Sequence, residues 1–466
     1  MVATSSPLAA QAALWALAEG GTAVDAAIAS DGVLGLVQPM STGVGGDAFC
    51  LVDDGREVAG FNGSGAAPAA LTTDACRADG AWHDTSPLTV TVPGGVDAWH
   101  RLSERYGRLG LGRVLAPARR LAEEGFPVGR RSARDWSFST GRVRSGSPYA
   151  TAPPAGGRFA NPALAETLAA IAGGGPEAHY GGRWGKDAVE AVVADGGVLA
   201  QDDLTAHAGE WVAPITGVYR GHEVVELPPN GQGAAVLVAL GRLDAGPPPS
   251  LAETMLAVRE GMEAAHRHVA DPRFAEGPRF WEQEKRDTVY TAVVAGGMAV
   301  GLISSVFMAF GSGICAGGSA VQNRGFGFSL DGDHPNVVAG GKRPFHTIIP
   351  ALLRRDGRTR AVFGVIGGPM QPQGHVQVLG HLLDGGLDPQ AALDRPRVFW
   401  IGDDQIAVER GHDPSAADEL RAAGFDVVAD SASPDWFGVG QVVRVHDDGW
   451  LEGGSDSRHD GAPLGR

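Results

Sequence analysis

Thr288 stands at the head of Asp-Thr-Val-Tyr-Thr-Ala-Val-Val (287–294), where alternating apolar residues read as a strand. A threonine there can be an ordinary strand residue. It can also be a nucleophile whose own backbone amine, freed by cleavage of the preceding peptide bond, acts as general base for its hydroxyl. The text that follows makes the second reading worth pursuing. It runs through FGSG (310–313), QNRGFGFSLD (322–331), GGKRPFHT (340–347) and GVIGGPMQPQGH (364–375), a series of glycine-rich loops between strand-like stretches.

The elements that must position these residues follow from periodicity. Ser5, Ser6 and Pro7 suit an N-cap and first turn. The apolar residues Leu8, Ala12, Trp15 and Leu17 then predict a helix over 5–20, ended by Gly20 and Gly21. Ala23 to about Val37 is apolar almost all round, which predicts a buried helix. STGVGGDAFCLVDD (41–54) reads as a glycine-rich turn entering a strand, with no Gly-Lys-Ser/Thr to make it a phosphate loop. The text is helical from Val92 to about Gly125, opened by Pro93-Gly94-Gly95. Further helices are expected over 160–245, interrupted by strand-like ITGVYRGHEVVEL (215–227), and another spans Met255–Val269. After a short charged link (271–287) the chain becomes strand-rich and glycine-rich, with helices near 371–384 and 413–424. That shift divides the chain into a helix-rich segment, 1–287, and a catalytic segment, 288–466. The class expected is α+β, with buried strands such as RAVFGVIG in two stacked sheets and helices on both outer faces.

Composition narrows the function. With 38 basic and 54 acidic residues in 466, net charge −16 and no Lys/Arg run, nucleic acid is not the expected partner. The 70 glycines are about twice the usual ~7% share and are spread through turns. No run of about 18 apolar residues predicts a membrane span. The N-terminus reads as a capped helix and not a signal peptide, so a cytoplasmic protein is expected. Cys50, Cys76 and Cys315 have no metal or disulfide spacing. His266 and His268, two apart on a helix, face different directions. No metal and no cofactor are expected.

Taken in order, the motifs resemble the γ-glutamyltranspeptidase family of N-terminal-nucleophile hydrolases over nearly the whole chain. The resemblance rests on MVATSSPLAAQAAL, GGTAVDAAIAS, STGVGGDAF, TVPGGVDAWHRLSERYG (91–107), YRGHEVVELPPNGQG (219–233), DTVYTAVV, FGSG, KRPFHTIIPALL, the IGG loop and GGSDSRHDG (453–461). It implies a four-layer αββα sandwich and a precursor that cuts itself between Asp287 and Thr288. The two fragments would then stay together as a heterodimer acting on a small molecule. Carried over by position, Thr288 matches the nucleophile and Ser305 a hydroxyl residue supporting it. Gly367 and Gly368 match the loop whose N–H groups form an oxyanion hole. Glycine suits that role, because donors must stand about 2.7–3.1 Å from the oxyanion.

The chain departs from the family pattern where typical members hold an amino-acid head. Ser64 or a neighbour occupies the place of an arginine, Arg324 and Gly327 replace a glutamine and an aspartate, and Phe307 replaces an asparagine. His346 and Thr347 replace a Ser-Ser pair. On this reading the site has lost the anion for a substrate ammonium. Arg324, His346, Thr347 and Ser64 then form a donor-rich site without an opposing acid, suited to a carboxylate beside the scissile carbonyl. DTVY, QNRG and RPFHT resemble a side branch that includes oxamate amidohydrolase and C–C-cleaving homologues of lincosamide and pyrrolobenzodiazepine antibiotic biosynthesis. The expected function is hydrolysis of an oxamate-like or oxalyl-bearing small molecule. The alternatives are C–C cleavage, ordinary γ-glutamyl transfer, and a non-processing binding relative. A nucleotide-binding protein lacks support, because no strand–GxGxxG–helix unit occurs.

Overall fold

The computed structural model describes residues 1–78, 80–274 and 287–466, with the side chain of Asp287 left aside. Most of the charged link before Thr288 therefore lies outside the described residues.

Helix Ala23–Val37 runs as its composition requires. Thr22 and Asp25 form a reciprocal cap, with Thr22 Oγ1 accepting the Asp25 N–H and Asp25 Oδ2 accepting the Thr22 N–H at 2.8 Å. Every residue of the helix is buried. The first helix is Pro7–Ala18, with Pro7 in its first turn. The strand-like 215–227 is a hairpin, Ile215–Tyr219 and His222–Glu226, turning at Arg220 and Gly221, both at positive φ. The long helix is Leu251–His268, begun by a Ser250–Glu253 capping box. The sequence reading overlooked Val2–Thr4, a three-residue strand ahead of the first helix.

Among the described residues two large sheets dominate. One has seven strands in the order Ala462–Leu464, Val2–Thr4, Asp287–Ala295, Met298–Phe307, Asp47–Asp53, Val58–Asn62 and Glu210–Val212. The other has six, in the order Leu451–Ser455, Val439–Val445, Arg358–Ile366, Ala351–Arg355, His222–Glu226 and Ile215–Tyr219. Both sheets take strands from either side of Thr288, so 1–287 and 288–466 are interleaved.

Side-chain alternation along the strands builds the core. Tyr290, Ala292 and Ile303 of the first sheet meet Val225, Leu352, Val362 and Val443 of the second. Val289, Val293, Val300 and Leu302 point the other way, into a cluster with Ile28, Leu34, Trp99 and Leu102 from helices. On the second sheet, Phe363, Val365 and Val442 pack with Val236, Met255, Met262 and Leu379. The structure is thus an α+β protein in which Thr288 begins a strand enclosed on both faces.

Candidate active site

Thr288 sits where strand pairing becomes irregular. Ser304 pairs with Val289 and Phe307 with Asp287, so Ser305 and Val306 both oppose Thr288 in a bulge. Phe307 takes φ 82°, a strained value for a side chain of this size. Its N–H donates to Ser305 Oγ at 2.8 Å, and Ser305 pairs with Asp47 on the neighbouring strand. Ser305 thus falls opposite Thr288 in the bulge. Gln371, which the sequence reading passed over, comes close to the hydroxyl. Its Nε2 stands 3.4 Å from Thr288 Oγ1, and its Oε1 accepts the Ile349 N–H at 3.0 Å.

The Gly367-Gly368 loop joins strand Arg358–Ile366 to helix Met370–Leu383. Gly367 has φ 120° and Gly368 φ 59°, both conformations that glycine adopts freely. Among the described residues no acceptor takes the N–H of either. Their carbonyls are engaged instead. Gly367 O accepts from the Met370 N–H and Gly368 O from the Gln371 N–H, each at 3.1 Å. Gln232 Nε2 donates both to Gly368 O, at 2.9 Å, and to Thr347 O, at 2.6 Å. The loop is therefore fixed through its acceptors, and among the described residues its donors are uncommitted beside a helix N-terminus.

Thr288 and Gly367 line one cavity of about 290 Å³. The rest of its wall was not foreseen. It includes Gln38, Arg131, Phe138, Arg142, Met308, Trp436, Arg458 and His459. Arg458 and His459 belong to the tail motif GGSDSRHDG, which carried the resemblance but no assigned role. The arginines are held by acids: Arg131 by Asp435, Arg142 by Asp84, and Arg458 by Glu409 and Asp456 at 2.6 and 2.9 Å.

Ser64, Arg324, His346 and Thr347 are all buried, and none lines this cavity. They gather around Asp47, which corrects the expectation of a site without an opposing acid. Asp47 Oδ1 accepts from the Gly94 N–H at 2.9 Å, Gln322 Nε2 at 3.0 Å and the Gly65 N–H at 3.3 Å. Its Oδ2 stands 3.1 Å from His346 Nε2. Burial pushes the Asp47 carboxyl up to about 7, against the pull of the Arg324 charge and these donors. His346 Nδ1 accepts the Ile348 N–H at 3.3 Å, so Nε2 carries the proton and donates to Asp47. In that arrangement the imidazole is neutral and adds no positive charge. Arg324 Nη1 donates to Thr347 Oγ1 at 3.0 Å, and its guanidinium lies 4.1 Å from the Phe307 ring centroid. Ser64 Oγ accepts from Asn230 Nδ2 at 3.0 Å. A buried guanidinium needs a nearby anion. The Arg324 charge acts on Asp47, which lies on a strand far away in sequence, and residue spacing did not reveal that neighbour.

His375 is buried in helix Met370–Leu383. Its Nδ1 lies 2.8 Å from Glu226 Oε1. Among the described residues no cluster of three or more His, Cys, Asp or Glu could hold a metal, and no helix is long and apolar enough to cross a membrane.

The sequence profile of the family described as gamma-glutamyltranspeptidase matches residues 9–282 and 251–465. The chain is 34% identical to the glutathione hydrolase-like YwrD proenzyme of Bacillus subtilis, over 100% of this chain and 98% of that protein. It is 32% identical to the oxamate amidohydrolase proenzyme of Klebsiella pneumoniae, over 98% and 97% of the two chains. In structure it resembles the cephalosporin acylase of Bacillus halodurans, with a TM-score of 0.90 and 38% identity over 99% of this chain and 94% of that one.

Proposed function

The chain belongs to the gamma-glutamyltranspeptidase family, an N-terminal-nucleophile hydrolase, and within it we propose a self-cleaving amide hydrolase whose nucleophile is Thr288. The two sheets with their outer helices are read as the four-layer αββα sandwich of such enzymes. The observation that carries the proposal is the opening of Thr288 and Gly367 into one cavity, with the N–H groups of Gly367 and Gly368 uncommitted among the described residues.

In the first half-reaction Thr288 Oγ attacks the Asp287 carbonyl. The peptide nitrogen leaves as the Thr288 amine, and water hydrolyses the resulting ester. The products are fragments 1–287 and 288–466. In turnover that amine accepts the Oγ proton as Oγ adds to a substrate amide carbonyl. The Gly367 and Gly368 N–H groups hold the oxyanion. The leaving amine takes up the proton, and water then releases the acyl group as a carboxylic acid. Ser305 steadies the strand edge at Thr288, and Gln371 orients its hydroxyl.

The preferred acyl group carries a carboxylate next to the scissile carbonyl, as in oxamate. Two facts support this: the relative named as an oxamate amidohydrolase, and the arginines on the cavity wall. Arg131 or Arg142 meets that carboxylate, because both line the cavity that Thr288 opens into and Arg324 does not. The relative named as glutathione hydrolase-like favours a second reading, γ-glutamyl hydrolysis. One assay separates them. The processed protein is offered oxamate, an oxalyl amide and γ-glutamyl-p-nitroanilide, and the acyl adduct on the 288–466 fragment is weighed. An oxalyl adduct is expected, whereas turnover of the γ-glutamyl compound alone selects the second reading.

A further inference from the structure

The cavity is larger than oxamate requires, and its outer wall is aromatic. Phe138 is 76% exposed and Trp436 39% exposed, and both line the cavity that Thr288 opens into. A large exposed apolar side chain standing alone needs no explanation, but two on one cavity wall are different. They also come from distant parts of the chain: Phe138 from helix Arg130–Ser139, and Trp436 from the 3₁₀ turn Pro434–Trp436.

One carboxylate ties these two elements together. Asp435, next to Trp436, forms ion pairs with both Arg131 and Arg134 of the Phe138 helix. The Arg134 guanidinium lies 5.5 Å from the Phe138 ring centroid. The N-terminus of the same helix is held by Asp460, whose Oδ2 accepts the Arg131 N–H at 2.6 Å and the Ser132 N–H at 3.3 Å. The aromatic walls are therefore held in place by ion pairs and a helix cap. A cavity of this size can take ligands well beyond a two-carbon acid, and this one sets its aromatic walls beside charged groups, Arg131, Arg142, Asp435 and Arg458. Planar rings gain most from such walls.

We propose that Phe138 and Trp436 form a subsite for the amine side of the substrate, and that this amine carries a planar aromatic group. The substrate class is then an N-aryl amide, with N-aryl oxamates as the members that also satisfy the acyl-side proposal. This rests on the reading of Thr288 as an amide-cleaving nucleophile. The acyl head stays near Thr288 and Gly367 while the ring lies toward the mouth, and an aromatic amine departs after acyl transfer.

The test compares amides that share an acyl head and differ only in the amine. One pair is oxamate and N-phenyloxamate, and a second is glutamine and γ-glutamyl-p-nitroanilide. The processed wild-type protein should prefer the aryl member of whichever pair it turns over, by about tenfold or more in kcat/KM. Phe138→Ala and Trp436→Ala should each lower that aryl-to-small ratio several-fold. Asp435→Asn, which frees the two walls, should lower it less. An aryl preference that survives both alanine variants overturns the subsite, and so does no aryl preference in the wild type. If no amide of either pair is hydrolysed and no adduct forms on Thr288, the nucleophile reading fails instead. Calorimetry of the wild-type protein then decides the subsite separately. N-phenyloxamate binding more tightly than oxamate, with the advantage lost in Trp436→Ala, supports it. Equal binding of the two overturns it.

Discussion

Gln371 reaches from the first turn of helix Met370–Leu383 to within 3.4 Å of Thr288 Oγ1, while its own carbonyl oxygen holds the Ile349 N–H. One side chain thus links the nucleophile to the backbone just ahead of strand Ala351–Arg355. Gln371→Glu keeps the acceptor for Ile349 and removes the donor to Thr288. Turnover and self-cleavage should each slow by about tenfold or more above the pH at which the new carboxyl ionises, and the buried carboxylate should also lower stability there. Rates measured beside a thermal melt check this, and unchanged rates would remove Gln371 from the site.

Thr288→Ala should abolish both self-cleavage and turnover, since hydroxyl attack on the Asp287 carbonyl is the proposed route. Intact-mass analysis of the purified variant should give one uncut chain. A variant that still splits at that bond would mean that Thr288 does not cut it.

Gly368 takes φ 59° and Gly367 φ 120°, so proline, which requires φ near −65°, cannot be placed at either position without moving the loop. Gly368→Ala is the gentler probe. A left-handed alanine costs about 1–2 kcal/mol and tilts the N–H that the oxyanion would meet. Turnover should fall by about 10- to 100-fold with KM nearly constant, as loss of a donor used in the transition state requires. A KM effect alone would assign the loop to substrate binding.

Arg324 and Asp47 make a second test. Arg324→Ala leaves a buried carboxyl facing no cation and should cost about 3–5 kcal/mol in denaturant unfolding. Combining it with Asp47→Asn should recover part of that loss, a coupling that only neighbouring charges produce. Additive effects would separate the two residues.

Asp31 contributes a share of the pH dependence beside Asp47, whose carboxyl burial also raises. Asp31 is buried in helix Ala23–Val37, accepts the Trp99 Nε1–H at 2.7 Å and a bond from Ser304, and burial raises its carboxyl from 3.8 to about 6. The folded state therefore holds this proton more tightly than the unfolded chain. The stabilisation is full below about pH 4 and is lost as pH rises through about 6, amounting to about 3 kcal/mol. Asp31→Asn can accept from Trp99 and donate to Ser304, so it should flatten this slope. Unfolding midpoints measured from pH 4 to 8 test it: the slope between pH 4 and 6 should shrink in the variant, and a slope unchanged there would place the whole titration at other groups such as Asp47.

What could be read in advance was local. Helix Ala23–Val37 was legible because its residues are apolar on every side, and 215–227 because its text is strand-like, though its turn at Arg220-Gly221 was not read. Val2–Thr4 is too short for any period, and it is a strand only because Asp287–Ala295 and Ala462–Leu464 flank it. The Asp47–His346 contact spans 299 positions, and no spacing rule reaches that far. Phe138, Arg131, Asp435 and Trp436 were invisible for a different reason. Exposed or half-exposed positions obey no packing period, so nothing in their neighbours marks them as one wall.

Both sheets draw strands from either side of Thr288, and this bears on how the molecule must be assembled. If the bond before Thr288 is cut, neither product holds a complete sheet, so the pair should migrate as a single particle in native gel filtration and come apart only in denaturant. Made as separate polypeptides, the two would each present open strand edges before meeting, and such edges invite aggregation. An uncut precursor removes that search by keeping every pairing intramolecular. The scissile bond is then a temporary tether whose useful life ends once the strands have found their neighbours.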